Sequence, residues 1–175
     1  MRHITALIAI TLVCLSEIVV AAESKIESAT ESLFAESALI GMQLSVRHGY
    51  QLGKTNEQVV NCANALKKDE FIPVFHALFE QEFNAEERKE AEAFYSSAVG
   101  RKSAKYALLQ IYVVVGVTPP EPMPRFDDAD IKRNDQFVAT NAGKKLIYDK
   151  VLETPSSKKL ITGRIQQLIK QCQAL

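Results

Sequence analysis

The chain has 175 residues, with 21 basic and 21 acidic side chains, 47% hydrophobic residues and no tryptophan. This length suits one domain, and the zero net charge argues against nucleic acid as a partner, because phosphate binding normally requires an excess of Lys and Arg. Helix-favouring residues are abundant while Gly and Pro are few, which predicts an all-α protein.

The first 22 residues have the features of an export signal. A short basic region precedes a mostly apolar run over residues 4–15, and Ala22 ends a cleavage site of small residues. The run is too short to span a bilayer, which requires about 20 apolar residues. We therefore expect residues 1–22 to be a signal peptide and residues 23–175 to form a single periplasmic domain without a membrane span.

Apolar residues at helical spacing predict three helices in the first half of this domain. The first extends from Ser24 to Gly53, where the glycine is a stop signal. The second follows Asn56 as its cap and carries Cys62. The third begins near Phe71 and has Pro73 in its first turn, a position that tolerates proline.

One passage occurs twice, 43 residues apart, at residues 83–106 and 126–149. Five aligned positions are identical, where about one or two would match by chance. Each copy begins with a capping-box pattern and then reaches a hydroxyl residue, Ser97 or Thr140, that can cap a second helix. We therefore predict a compact bundle of about six to eight helices built around two related helical hairpins.

The two copies are separated by a proline-rich connector, residues 117–125, which is expected to be extended and stiff. We interpret the β-branched stretch from Tyr112 to Val117 as the tail of a helix that Gly116 ends. A last helix begins at Thr154-Pro155, and its start resembles a third copy of the repeated element, with Ser157 in place of the glycine.

The cysteines indicate one disulfide. Cys14 leaves with the predicted signal, so Cys62 and Cys172 remain as an even pair in an exported protein. The alternatives are two buried free thiols or one thiol that acts as a nucleophile.

The sequence of residues 94–102 carries a family resemblance. It reads Phe-Tyr-Ser-Ser-Ala-Val-Gly-Arg-Lys, and Phe83, Glu86 and Glu87 precede it as an acidic lead-in. This resembles the Phe-Tyr-x-Ser/Thr-Pro-x-Gly-x-Lys motif of an exported bacterial family called domain of unknown function 2059, except that Ala98 replaces the proline. The resemblance implies an exported α-helical domain and brings no catalytic residues with it.

Two sets of residues at helix starts are candidates for contact with an anion or an acidic partner. They are Gly100, Arg101 and Lys102 in the first copy and Gly143, Lys144 and Lys145 in the second. Glycine in a helix is less stable than alanine by about 1 kcal/mol, and the helix dipole disfavours cations at an N-terminus. Free backbone N–H groups beside a bare glycine and two cations describe an anion site. The alternatives are close packing at the glycine and solvation of the long side chains.

The sequence contains no strong catalytic motif. His48 and His76 belong to no HExxH or CxxC arrangement, so we expect no metal and no cofactor. Spacing leaves a Ser-His-Asp or Cys-His arrangement open, yet no nucleophile signature accompanies it. We therefore expect that the protein is not an enzyme.

These observations favour an exported helical protein that acts by binding a partner, most simply another protein. Three alternatives stay open. One is an immunity protein that neutralises a toxin delivered to the periplasm, and another is an envelope enzyme that uses Cys62 or His76. The third is binding of a small molecule or lipid between helices, which requires a sizeable apolar pocket. No pattern in the sequence indicates the oligomeric state.

Overall fold

The computed structural model describes residues 28–174, and the regular structure in that part of the chain is helical. It has eight α-helices, with short 3₁₀ turns after α2 and α7. The helices are α1 (Ala29–Gln51), α2 (Glu57–Ala65), α3 (Ile72–Glu82), α4 (Ala85–Tyr95), α5 (Ala98–Val114), α6 (Asp128–Ala139), α7 (Asn141–Ile147) and α8 (Pro155–Gln173). The all-α prediction is thereby confirmed, whereas the predicted signal peptide, residues 1–22, lies outside the described residues. Among the helices of residues 28–174, none combines the length and the apolar composition that a bilayer span requires.

Helix α1 is the element against which α2, α3, α4 and α5 all pack. Its N-terminus is capped by Ser28, whose hydroxyl accepts a hydrogen bond from the N–H of Glu31 at 3.2 Å. Its C-terminus is followed by Gly53, which has a φ of +68° and ends the helix as predicted. Because several helices surround α1, its buried residues occupy more than one face.

The main core lies between α1, α3 and α8. Helix α3 contributes Phe75, Leu78 and Phe79, each no more than 3% exposed, and each buried Phe contributes about 1.5–3 kcal/mol. Met42 of α1 and Leu168 of α8 close the cluster from the other sides.

A disulfide joins α2 to α8, as the cysteine pair predicts. Cys62 and Cys172 are bonded, with Cα atoms 5.5 Å apart and a sequence separation of 110. In the loop-entropy description, closing a loop of this length contributes at most about 4–5 kcal/mol. Val46, Val59 and Ala63 pack around the bond as a separate apolar cluster.

Both copies of the repeat begin with the predicted capping box. The capping pairs are Asn84 with Glu87 in α4 and Asp127 with Asp130 in α6. Ser97 and Thr140 then cap α5 and α7, and each hydroxyl accepts a hydrogen bond from the N–H of the repeated glycine. The helix boundaries within the two copies are therefore set by local hydrogen bonds that the sequence encodes.

The repeated glycines lie where a side chain has no room. A Cβ atom at Gly100 would stand 1.8 Å from the carbonyl oxygen of Phe94, and one at Gly143 would stand 2.0 Å from that of Phe137. In both copies this oxygen belongs to the residue six positions earlier, in the last turn of the preceding helix. Close packing of the backbone therefore explains why glycine occupies both positions.

Helix α8 begins with a related close approach. Thr154 caps it by accepting a hydrogen bond from the N–H of Ser157, the residue in the position of the repeated glycine. Ser157 is fully buried, and its hydroxyl donates to the carbonyl of Val151 at 2.9 Å, again six positions earlier. At the start of α8, a serine hydroxyl therefore bonds to the carbonyl in the position that lies against the glycine in each repeat copy.

Glu92 of α4 anchors the start of α1. Its carboxylate accepts hydrogen bonds from the backbone N–H groups of Ala29 and Thr30, at 2.9 and 3.1 Å, and from the hydroxyls of Ser28 and Ser96. Partial burial acts to raise the pKa of Glu92, but these hydrogen bonds outweigh it and lower the pKa to about 2. The ionised carboxylate also interacts favourably with the dipole of α1, so the charged form holds α1 against α4.

Replacing Gly100 or Gly143 with alanine is expected to lower the free energy of unfolding by about 2–3 kcal/mol, because the new methyl group forces the preceding helix away. Gly163 in α8 provides the control, since a Cβ atom there meets nothing within 4 Å. Gly163→Ala should raise stability by about 0.5–1 kcal/mol. Urea unfolding followed by circular dichroism measures all three variants, and an unchanged stability of Gly100→Ala would contradict the close packing.

Candidate functional site

The basic residues of the two repeated sets divide into an exposed pair and a partly buried pair. Arg101 and Lys144 are exposed to solvent. The side chains of Lys102 and Lys145 are only 33% and 32% exposed, and each extends toward the opposite copy of the repeat. The partly buried pair therefore has a role within the fold.

Each partly buried lysine binds the capping box of the other copy. The Nζ atom of Lys145 donates to Oε2 of Glu87 at 2.7 Å and to the carbonyl oxygen of Glu82 at 2.8 Å. Lys102 donates to the carboxylate of Asp130. Glu87 and Asp130 are the acidic residues that close the two capping boxes. We call this reciprocal pairing the lysine exchange.

The repeated phenylalanines meet in the same reciprocal way. The distances from Nζ to the ring centroid are 5.3 Å for Lys102 over Phe126 and 5.5 Å for Lys145 over Phe83. Phe94 and Phe137 stack directly on one another, with centroids 4.0 Å apart and ring planes 2° apart. Matching residues of the two copies therefore either contact each other or make reciprocal contacts.

Tyr95 closes one side of this aromatic stack. Its ring lies edge-on to Phe94 and Phe137, with centroid distances of 5.0 and 5.6 Å, an arrangement that aromatic pairs favour. Burial raises the pKa of Tyr95 to about 12, so its hydroxyl is neutral at physiological pH.

The lysine exchange lowers the pKa of both acids. The hydrogen bond from Lys145 lowers the pKa of Glu87, burial opposes this effect, and the N–H of Asn84 lowers the pKa further. The hydrogen bond from Lys102 likewise lowers the pKa of Asp130. The Glu87 side chain is only 8% exposed, so its charge depends on Lys145 for compensation.

An internal carboxylate occupies the start of α7, where an anion site was predicted. The N–H of Ala142 donates to Oε2 of Glu90 at 3.0 Å, and the N–H of Gly143 donates to the hydroxyl of Thr140 at 3.1 Å. An external anion would therefore have to displace Glu90. Binding of an anion or an acidic partner at the two exposed cations stays a prediction.

A groove follows the seam between α1 and α5, which run parallel. One section, of about 450 Å³, lies between the first parts of the two helices and includes Leu33, Ile40 and Leu108 in its lining. Another section, of about 500 Å³, lies where the two helices end. We call the two sections together the α1/α5 groove.

Exposed valines extend from the far end of this groove. Val113, Val114, Val115 and Val117 are 46%, 76%, 53% and 37% exposed, and we call them the valine patch. Successive helical residues are rotated by about 100°, so a run of valines cannot all face one neighbouring helix. The sequence indicated the helix tail and its stop at Gly116, but this exposed surface was not among the predicted sites.

Cys62 and His76, the candidate catalytic residues of the envelope-enzyme alternative, lie outside this groove. Cys62 is bonded to Cys172, so a nucleophilic thiol at Cys62 would first require reduction. His76 Nδ1 lies 3.0 Å from Oε1 of Glu31, and the histidine side chain is 43% exposed. Neither His76 nor Glu31 lines the α1/α5 groove. Within residues 28–174, no three His, Cys, Asp or Glu side chains come together as metal ligands.

One family model matches part of the chain. Residues 69–106 match the family described as an uncharacterized protein conserved in bacteria (DUF2059). The match confirms the resemblance seen in the sequence and spans α3, α4 and the first part of α5, so it includes the first copy of the repeat and not the second. No curated protein and no solved structure matches the chain.

Glu87 lies within the matched residues 69–106, and its pairing with Lys145 can be tested by removing the lysine. Lys145→Met should lower the free energy of unfolding by about 1–3 kcal/mol at neutral pH, because a buried carboxylate loses its partner. Since the pKa of Glu87 is lowered in the folded state, its contribution is present above the ordinary carboxylate pKa and is lost as the pH falls. The difference between wild type and variant should therefore shrink in acid.

Lys102→Met is the matched control for this measurement, because it removes the equivalent lysine from a more exposed acid, Asp130, whose side chain is 17% exposed. Its loss of stability should be smaller than that of Lys145→Met. A loss for Lys145→Met that is the same at every pH would contradict the role given to Glu87.

Proposed function

We propose that this protein is exported to the periplasm and acts, without catalysis, by binding another protein through the valine patch. The observation that supports this proposal is the exposure of four valines within five residues at the end of α5. Exposed apolar residues that cluster, rather than lie singly, are typical of protein interaction sites.

Stability of the isolated fold does not account for the valine patch. Burying a valine side chain contributes about 1.5–3 kcal/mol, and that gain is largely forgone at Val114, which is 76% exposed. β-branched residues also lower helix propensity, because the preceding turn restricts χ1. A partner that covers the patch would supply the missing burial.

Export is supported by the sequence of residues 1–22 and by the disulfide between Cys62 and Cys172, since such bonds persist in oxidising compartments. If export and cleavage occur as proposed, the protein purified from its native host should begin at Glu23. N-terminal sequencing or intact mass measurement tests this. A purified protein that retains residues 1–22 would contradict cleavage at this position.

Partner binding is tested by crosslinking and capture from a periplasmic extract, with the wild-type protein and two variants as baits. Val114→Ser/Val115→Ser should lose a stoichiometric partner that wild type retains, because both side chains lie in the valine patch. Ile131→Ser is the matched control, since Ile131 is 50% exposed and lies in α6 outside the patch.

The thermal unfolding temperatures of the three baits must coincide. A lost partner then results from the changed surface and not from a destabilised fold. Equal capture by all three baits would refute the role of the valine patch. If the captured partner is a secreted hydrolase that the protein inhibits, the binding role becomes that of an immunity protein.

A further inference from the structure

We infer that the partner docks through a segment that carries both acidic and apolar side chains, held in the end section of the α1/α5 groove. This inference rests on the proposed function, because it assigns the chemistry of the protein partner. The end section is lined by Leu44, Ser45, Arg47, His48, Gln51, Val115, Gly116 and Val117. We call it the basic groove.

The two walls of the basic groove differ in chemistry. The α5 side presents Val115 and Val117, which belong to the valine patch, and the α1 side presents Arg47 and His48. No acidic residue is among the lining residues. An occupant that satisfies both walls must therefore place an apolar group against the valines and a negative charge against Arg47.

Arg47 is available for such a charge. It is exposed, and it makes no ion pair within the described residues. The negative end of the α1 dipole favours cations in the last turn of the helix, where His48 lies, and Arg47 immediately precedes that turn.

The backbone of the apolar wall forms a hydrogen-bonded turn at the end of α5. Gly116 has a φ of +74°, its N–H donates to the carbonyl of Val113, and the N–H of Val117 donates to the carbonyl of Tyr112 at 2.9 Å. This pair of hydrogen bonds is the Schellman motif that ends many helices. Val115 and Val117 therefore stand on either side of a fixed turn, and the groove requires little ordering when a partner binds.

The volume and the charge favour a peptide segment over a membrane. At about 500 Å³, the basic groove is within the range of sites that enclose a few side chains. Arginine can bind a carboxylate through two parallel hydrogen bonds. Recognition of anionic lipid surfaces typically uses clusters of about four to eight Lys and Arg, whereas this groove has one Arg and one His.

The experiment measures fluorescence anisotropy with a labelled amphipathic peptide made of Glu and Leu, and with a twin in which every Glu is replaced by Gln. The wild-type protein should bind the Glu peptide with a dissociation constant lower by about two- to fivefold, the range that one exposed ion pair supplies. High salt should reduce this preference, because the contacts lie at the surface.

Two variants test whether the preference for the Glu peptide over the Gln peptide arises in the basic groove. Arg47→Gln should lose most of the preference for the Glu peptide, while Val117→Ser should weaken the binding of both peptides. Lys159→Gln, which changes an exposed cation of α8, is the matched control and should behave as wild type.

Equal affinities for the two peptides would overturn the inference, and so would binding to anionic phosphatidylglycerol vesicles without binding to the Glu peptide. If neither peptide binds while capture of the native partner still depends on Val114 and Val115, the acidic chemistry is wrong and the proposed function stands. If capture does not depend on those valines, the proposed function itself fails.

Discussion

The lysine exchange is the contact on which the arrangement of the two hairpins depends. Lys145 and Lys102 each cross to the capping box of the opposite copy, so neither hairpin can rotate without breaking an ion pair. The stack of Phe94 on Phe137 lies between the copies and supplies the apolar contact that the ion pairs orient. Each copy supplies the lysine that pairs with the capping-box acid of the other copy. The contact therefore both stabilises the two hairpins and fixes their relative orientation.

The position of α5 follows from this contact. Gly100 brings the start of α5 against the last turn of α4, and Lys102, two residues later, binds Asp130. From this base the helix extends for 17 residues, a length of about 25 Å, beside α1. The start of α1 is itself held to α4 by Glu92. Both walls of the α1/α5 groove are therefore anchored at the same end of the molecule, and the valine patch lies at the opposite end.

Those features that depend on neighbouring residues could be predicted from the sequence. Asn84, Ser97 and Thr140 each accept a hydrogen bond from the N–H three residues later. Gly53 and Gly116 end helices through their own backbone conformation. Such interactions span one turn of helix, so the local pattern contains all the information. The disulfide could be predicted as well, because two of the three cysteines remain once Cys14 is assigned to the predicted signal peptide, and two cysteines allow a single pairing.

The features that depend on distant parts of the chain could not be predicted in the same way. The sequence shows that Lys102 and Lys145 follow a glycine at a helix start, and the helix dipole makes their charge unfavourable there. It does not show that the compensating acids come from another helix start 28 and 58 residues away. The basic groove could not be predicted for the same reason, because Arg47 and Val117 become neighbours only through the packing of α1 against α5.

The disulfide between Cys62 and Cys172 also changes the outcome of a break in the chain. The connector of residues 117–125 is largely exposed and has no helix, and it lies inside the loop that the disulfide closes. A protease that cuts the connector would therefore release no fragment, because the two pieces would remain joined covalently and by the lysine exchange. The cut protein would migrate as one molecule until a reductant separated its halves, so in an oxidising compartment a severed connector need not abolish the surface that α1 and α5 form.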